Sequence, residues 1–558
     1  IEYPGMLLAI FFAACVLFGL GYHFYGGFVE RKLEVNKEEQ TPANTMRDGV
    51  DYDPAPDLVL FGHHFSAIAG SGPIVGPVVA GLAFGWGPAL LWILIGCIFM
   101  GSVYDYSSLI ASVRNQGKSL GEIARDFLGG FSYKIFLAFL MIVLFYILIV
   151  FVDLTAATFA PPVKEAETQG GIVAMASLIY IGLAVAFGLA LKRSGLSAGK
   201  LSLVFVPLVF VAIWISLYIP LMPETVAART GLNPHFVWTV VLLIYCAVAS
   251  VLPVWILLQP RDFLSSFLLY ACLVGGALGL LAVGVTGKYS IQYPVFTGFN
   301  DPDLGPIFPI LFVTIACGAI SGFHGLVATG TTSKQLNKIS EARPIAYGGM
   351  LMEGVLAVLA LATVMILTHN PGMPPTTLFA SGLGTFMSTF GINSLAVSAF
   401  ALLAVSTFLL TSLDAGTRLT RFIVQELFNV SNTLLNRSIC SFAIVAVPAA
   451  AIFLAPGDQP LWKLIWPAFG ATNQLLAALG LFFLFLWRRR NGKSTLFISI
   501  PMVIMFVITI TAMVQLVVKS CVTQSNWAVG AVCGLLLVMT LAILFDALRK
   551  MFQSSKKA

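Results

Sequence analysis

Seven titratable side chains interrupt stretches of this sequence that are otherwise apolar: His63, His64 and His324, and the carboxyls Asp105, Asp153, Glu353 and Asp414. A charge at the centre of a bilayer helix costs about 2.5–3.5 kcal/mol on insertion scales, so each carboxyl should face protein or water. Desolvation favours a neutral carboxyl and histidine titrates closest to neutral pH, which makes both types candidate proton carriers. The plainer reading of any one carboxyl is a buried group bonded to a nearby hydroxyl or helix end. Asp105, between Tyr104 and Tyr106, fits that network role as well as a coupling role. Adjacent imidazoles point to different helix faces, so at most one of His63 and His64 should look into a cavity. Three histidines without a carboxylate at matched spacing make a metal site the weaker reading. Thr411 and Ser412 precede Asp414 and offer oxygens to a sodium ion, although a hydroxyl bonded to the preceding turn is the default. Asn473 and Gln474 are amides in an apolar run, placed to bridge helices or line a pathway.

Two of the apolar runs that carry these groups are poor helices. Residues 61–77 contain Gly70-Ser71-Gly72-Pro73, and 316–332 contain Gly318, Gly322, Gly325 and Gly330 among small hydroxyls. Glycine costs about 1 kcal/mol in a helix interior and proline about 3. Pro73 suits the first turn of a restarted helix. In lipid, unwound backbone is tolerated only where it lines a cavity or grips a ligand. The start of a half-helix presents free amides and a positive dipole end to a carboxylate, while unwound carbonyls suit a cation. Close packing through small residues is the alternative.

The scaffold must cross a membrane many times. The 558 residues are 58% hydrophobic and 10% charged, against about 25% charged in soluble domains. That excludes a disordered chain, a soluble enzyme and a nucleic-acid binder. A hydrocarbon core of about 30 Å takes about 20 apolar residues per helix. Fifteen spans are predicted: 6–29, 58–84, 88–113, 133–158, 171–192, 201–220, 236–258, 263–285, 307–332, 345–368, 393–414, 439–455, 461–487, 496–518 and 528–550. The run 439–455 is short, and 201–220 contains Pro207. All should be helical, because lipid leaves no partner for open backbone and the runs lack barrel alternation. With the N-terminus outside and the C-terminus cytoplasmic, 26 of the 31 basic residues, Arg261 included, fall in inner loops. That bias sets the orientation. Residues 6–29 read as an anchor rather than a signal peptide. Eight scattered cysteines without C-x-x-C argue against disulfides or a cysteine metal site.

Two inner segments look organised. Asp48, Asp51 and Asp53 form a turn, or less simply a divalent-cation loop. Ser119 and Glu122 form a capping box, and Leu120, Ile123, Phe127 and Leu128 share one face, predicting a short helix along the inner membrane surface. The broken runs cross in opposite directions, as an inverted repeat requires. His64 and Gly70 recur as His324 and Gly330, and Asp153 recurs as Asp414; a competing register matches Ile68-Ala69 to Ile315-Ala316.

Four motifs resemble the carbon starvation protein A family of prokaryotic transporters. They are Gly62-His63-His64-Phe65 with Gly70-Ser71-Gly72-Pro73-Ile74-Val75-Gly76-Pro77; Gly101-Ser102-Val103-Tyr104-Asp105; Ser321-Gly322-Phe323-His324-Gly325 with Gly330-Thr331-Thr332-Ser333; and Trp466-Pro467 to Asn473-Gln474-Leu475-Leu476. The likeness runs from about residue 5 to beyond 485. Tyr104 stands where the family has a histidine, which weakens a proton role for that pair. The resemblance implies secondary active uptake of pyruvate or short peptides with protons. It also implies a five-plus-five inverted-repeat (LeuT/APC-like) core, with 58–84 and 307–332 as the helices broken around substrate. The Thr411–Ser412 span would be the third helix of the second repeat, where relatives hold sodium.

The expected protein is therefore an all-α polytopic membrane protein of about fifteen transmembrane helices, in a prokaryotic inner membrane. It would divide into 1–57 (anchor and cytoplasmic loop), 58–306 (first repeat with extra helices), 307–487 (second repeat) and 488–558 (two C-terminal helices). It would import a small carboxylate such as pyruvate with protons, sodium being the second candidate ion. His64, Ser66, Gly70, Ser71, Gly72, Ser321, Gly322 and His324 would bind substrate. Asp105, Asp153, Glu353, Thr411, Ser412 and Asp414 would serve coupling. The competing readings are a di- or tripeptide importer, a haem-binding electron carrier or membrane enzyme, and a channel or sensor. No cofactor, resident metal or nucleic-acid partner is expected, and oligomeric state is left open.

Overall fold

The computed structural model describes residues 5–48, 52–161, 167–252, 256–454, 460–523 and 527–555. Asp51 of the aspartate turn, and Lys164, Lys556 and Lys557 of the charge count, lie outside them. The apolar runs fold as helices, which pair their own backbone groups. In order these are α1 (Met6–Leu33), α2 (Asp57–Ile68), α3 (Gly72–Phe84), α4 (Trp86–Arg114), α5 (Leu120–Arg125), α6 (Gly130–Phe159) and α7 (Glu167–Ser194). Then come α8 (Ala198–Tyr218), α9 (Pro234–Val251), α10 (Leu258–Thr286), α11 (Ile307–Thr314), α12 (Gly322–Gly330) and α13 (Ile339–Met365). The last six are α14 (Pro375–Met387), α15 (Ser394–Leu427), α16 (Leu434–Phe453), α17 (Leu461–Arg490), α18 (Leu496–Val522) and α19 (Trp527–Gln553).

Thirteen of these are long and apolar enough to cross a membrane, and α2 with α3 makes fourteen if that bent pair is one crossing. Fifteen is not reached on length and apolarity, because the non-helical stretch 315–321 divides the 307–332 run. Pro207 does not break α8, and the short 439–455 run is part of a 20-residue helix, α16. The sequence reading missed α14, whose 13 residues are too few to cross; it packs against α15, α10, α3 and α13. Large apolar side chains stay exposed on α1, α8, α16 and α19, such as Phe12, Leu203, Phe442 and Phe545. That is the surface lipid requires.

The inner segments differ in part from expectation. The capping box of α5 forms, with Glu122 N donating to Ser119 Oγ at 3.2 Å and Ser119 N to Glu122 Oε2 at 2.8 Å. Its apolar face turns inward rather than toward lipid: Leu120 and Ile123 are buried, and the Leu120 amide donates to Thr329 Oγ1. At the ends of the aspartate segment, Asp48 Oδ1 accepts the Tyr52 amide and Arg47 pairs with Asp53; residues 49–51 between them lie outside the described residues.

The two breaks pack against each other. Ala69 leaves helical geometry, and α3 restarts with Pro73 in its first turn, at 42° to α2. A Cβ added to Gly76 would lie 2.6 Å from the Thr314 carbonyl oxygen and 3.1 Å from the Ile315 Cα. Only glycine lets α3 come this close to the end of α11. Backbone lacks the freedom of a flexible side chain to yield, so Gly76→Ala should destabilise the protein by about 1–3 kcal/mol. Thermal unfolding in detergent should show a lowered midpoint for Gly76→Ala. Gly130→Ala, where nothing lies within 4 Å, should leave it unmoved.

Candidate functional site

A small cavity lies where the breaks meet. Gly70 and Gly72 come to it from the first break and Cys317 from the second, with Ser412 of α15 and Asn473 of α17 beside them. Ile68, Ile147, Phe151, Phe323 and Phe469 supply the apolar wall. Phe151 and Phe469 meet edge to face at 5.7 Å. The walls close on a volume of ≈ 10 Å³, about the room one water needs. At the start of α3 the amides of Ser71 and Gly72 find no acceptor among the described residues, and the buried Ser71 and Ser66 hydroxyls are also unpartnered. Free amides at a helix start form an anion-binding end.

At the second break side chains occupy several backbone carbonyls and one amide, while the amides of Cys317, Gly318, Ser321 and Gly322 find no acceptor among the described residues. Gln474 Nε2 and Trp92 Nε1 donate to the Phe312 carbonyl, at 2.9 and 3.2 Å. Trp466 Nε1 donates to the Thr314 carbonyl at 3.3 Å, Cys97 Sγ to Gly318 and Tyr104 Oη to Gly322. The Phe323 amide, opening α12, donates to Asn473 Oδ1 at 3.1 Å, while Asn473 Nδ2 donates to Ser321 Oγ at 3.0 Å. The Trp466-to-Gln474 motif therefore serves as a set of caps for the interrupted helix.

Beside the cavity, three fully buried ionisable groups from three helices meet. His324 Nδ1 of α12 lies 3.0 Å from Asp105 Oδ2 of α4, and its Nε2 lies 3.3 Å from Glu353 Oε2 of α13. The second contact is within ion-pair distance but off the hydrogen-bond direction, which leaves both Glu353 oxygens and Asp105 Oδ1 without a hydrogen-bond partner. His64 bonds Thr332 Oγ1 through Nδ1 at 2.8 Å.

The other two carboxyls have fixed partners. Asp414 pairs with the guanidinium of fully buried Arg261 and accepts from Tyr245 Oη at 3.0 Å. Arg261 also holds Asp262 at 3.0 Å, and Asp262 faces His63 at 3.6 Å. Arg261 is thus not the inner-loop charge that the sequence reading made it; it lies inside α10 as the counterion of Asp414. Asp153 accepts the Trp462 amide, in the first turn of α17, at 2.8 Å and meets His235 Nε2 at 3.1 Å.

Of the sequence-derived candidates, Gly70, Gly72 and Ser412 line the cavity. Ser66, Ser71, Ser321 and Gly322 sit in or next to the breaks without lining it, and neither His63 nor His64 does. Thr411 bonds back to the Thr407 carbonyl. His324, Asp105 and Glu353 converge, while Asp153 and Asp414 belong to separate networks. Sequence reasoning missed Ile147, Phe151, Cys317, Phe323 and Phe469. An apolar residue facing a cavity has the same signature as one facing lipid, and only their place within quoted segments hinted at Phe323, Phe469 and Cys317.

A family profile described as "Carbon starvation protein CstA" matches residues 6–373 and 369–512. The chain belongs to this family. Family members similar to it include the "Peptide transporter CstA" of Campylobacter jejuni, 33% identical over 90% of this chain and 79% of that protein. The Bacillus subtilis protein of the same name is 34% identical over 85% of this chain and 84% of its own length. The "Pyruvate/proton symporter BtsT" of Escherichia coli is 30% identical over 85% and 76%. Among solved structures, a manganese transporter of Eremococcus coleocola aligns over 90% of this chain and 99% of its own, with a TM-score of 0.46 and 13% identity. These relatives are transporters and not enzymes.

Removing one partner of a buried ion pair strands the other charge, at about 3–5 kcal/mol, whereas replacing both with apolar groups is often neutral. Arg261→Met, which strands both Asp414 and Asp262, should therefore lower the thermal midpoint clearly. The triple substitution Arg261→Met with Asp414→Leu and Asp262→Asn should recover most of the loss, as read by thermal unfolding in detergent.

Proposed function

We propose that this protein is a secondary active transporter that imports a small carboxylate of the pyruvate class together with protons, by alternating access. The carrying observation is the cavity between two interrupted helices, where Gly72, whose amide like that of neighbouring Ser71 is free, meets an apolar wall. The amides suit a carboxylate and Phe151 and Phe469 suit a short carbon chain. A closed volume of ≈ 10 Å³ fits an occluded stage of a cycle in which the walls part to admit substrate. The proton as coupling ion accords with the printed name of the Escherichia coli relative and with three buried ionisable groups beside the cavity. Sodium is the second candidate: a Cβ on Gly70 would lie 2.7 Å from Ser412 Oγ, which sets one hydroxyl oxygen against the unwound backbone.

In this reading α11 and α12 form one further crossing, which brings the total to fifteen. The α2–α3 and α11–α12 pairs head two inverted five-helix repeats within 58–306 and 307–487. The charge bias then places the N-terminus outside and the C-terminus in the cytoplasm of a prokaryotic cell.

The relatives named as peptide transporters favour a second reading, uptake of di- or tripeptides. A peptide brings an ammonium as well as a carboxylate, and no carboxyl lines the cavity among the described residues. That supports the carboxylate.

In proteoliposomes, an external pH below the internal one should drive pyruvate uptake and acidify the lumen; uptake indifferent to pH and sodium gradients would remove the coupling. Pyruvate should also slow alkylation of Cys317 by a small maleimide, mapped by mass spectrometry, and leave Cys246 unchanged. Dipeptides protecting Cys317 while pyruvate does not would favour the peptide reading.

A further inference from the structure

We infer that the transported proton resides on the Asp105–His324–Glu353 cluster, and that the cycle moves one proton per monocarboxylate without net charge. This rests on the transport reading above and adds to it a site and a stoichiometry.

The cluster is built like a proton site. One imidazole stands between two carboxyls, with a ring nitrogen at 3.0 Å from one and 3.3 Å from the other, and all three side chains are fully buried. Among the described residues neither carboxyl pairs with Lys or Arg, in contrast to Asp414 with Arg261. Asp153 has both oxygens occupied, by the Trp462 amide and His235. Asp105 Oδ1 and both Glu353 oxygens keep unused hydrogen-bonding capacity. With both ring nitrogens turned to carboxyls, the imidazole has no free lone pair to offer a metal.

The other titratable groups facing the cluster are His64 from α2, Tyr104 and Cys97 from α4, and Cys317 from the second break. The tyrosine and cysteines are ordinarily weak acids, neutral near pH 7. A second imidazolium at His64 would be repelled by one at His324. The cluster is thus left to balance its own charge.

Charge balance fixes the proton count. Two carboxylates at one site cannot both stay ionised without a compensating cation. Imidazolium with one carboxylate and one carboxylic acid is neutral, and holds two protons. A third proton gives a net charge of +1, which is costly in a dry interior unless an anion lies nearby. A bound monocarboxylate is that anion. The empty carrier with two cluster protons and the loaded carrier with three protons plus substrate are both neutral, so both can change conformation in the membrane. The proton arrives from the outer solution on a cluster carboxylate and leaves to the inner solution with the substrate. Three contacts tie the sites together: Cys317 lines the cavity and faces Glu353, Ile68 lines it and its backbone faces His324, and Phe323 lines it next to His324 in sequence.

The test uses full-length protein in proteoliposomes. Under a pH difference of about one unit, one proton per pyruvate limits accumulation to about tenfold, and two protons to about a hundredfold. The wild type should reach the tenfold limit. Its uptake rate should not respond to a potassium diffusion potential set with valinomycin. His324→Gln and His324→Asn leave two carboxyls that are both protonated in the neutral empty carrier, with no site for the extra proton, so both should lose pH-driven accumulation yet retain counterflow exchange of labelled pyruvate at a reduced rate. Coupled accumulation in His324→Gln and His324→Asn would overturn the inference while leaving the transport reading intact. Absence of counterflow in the wild type would remove the transport reading itself. If neither variant folds, the wild-type measurements still decide: a hundredfold limit, or a rate that follows the potential, contradicts the single neutralised proton.

Discussion

Backbone polar groups in hydrocarbon have nowhere to go, and this constraint organises the protein. An unsatisfied amide or carbonyl costs several kcal/mol there, yet two helices come apart inside the membrane region. The structure resolves the conflict in part. At the second break, the carbonyls of Phe312, Thr314, Gly318 and Gly322 accept from Gln474, Trp92, Trp466, Cys97 and Tyr104. Asn473 takes the Phe323 amide. At the first break the Ser71 and Gly72 amides are left over. Both interruptions keep donors to spare, since at the second the amides of Cys317, Gly318, Ser321 and Gly322 also find no acceptor among the described residues.

Small residues let the two breaks approach closely. Gly76 admits the end of α11 against α3, and Gly72 faces Cys317 where a side chain would collide. Gly325 and Gly480 make room for the Tyr104 ring, whose hydroxyl reaches Gly322. Around this core, α17 has 94% of its apolar window buried, against 28% for α1 and α19. The helix that caps the break is therefore the one most enclosed by protein.

Much of the design was legible in the sequence because it rests on local chemistry. Gly70-Ser71-Gly72-Pro73 fixes the first break, and the apolar runs fix the helices, although Pro207, which counted against the 201–220 run, does not break α8. What could not be read depends on tertiary placement. Arg261 looks like a loop charge until α10 brings it to Asp414, and Asp153 and Asp414 look equivalent until their partners are known. Ile147, Phe151 and Phe469 are ordinary apolar residues of apolar spans. The convergence of Asp105, His324 and Glu353 needs α4 to meet α12 and α13, which lie more than 200 positions further along the chain. α14 is too short for a hydropathy reading to separate from a loop.

The account depends on the first break holding the substrate's carboxylate by its backbone. An electron cryomicroscopy map of the full chain in lipid nanodiscs with saturating pyruvate tests this most directly. It should show the carboxylate within about 3 Å of the Ser71 and Gly72 amides, with the methyl group against Phe151 and Phe469. Pyruvate density elsewhere, with residues 69–72 wound into one continuous helix, would contradict it.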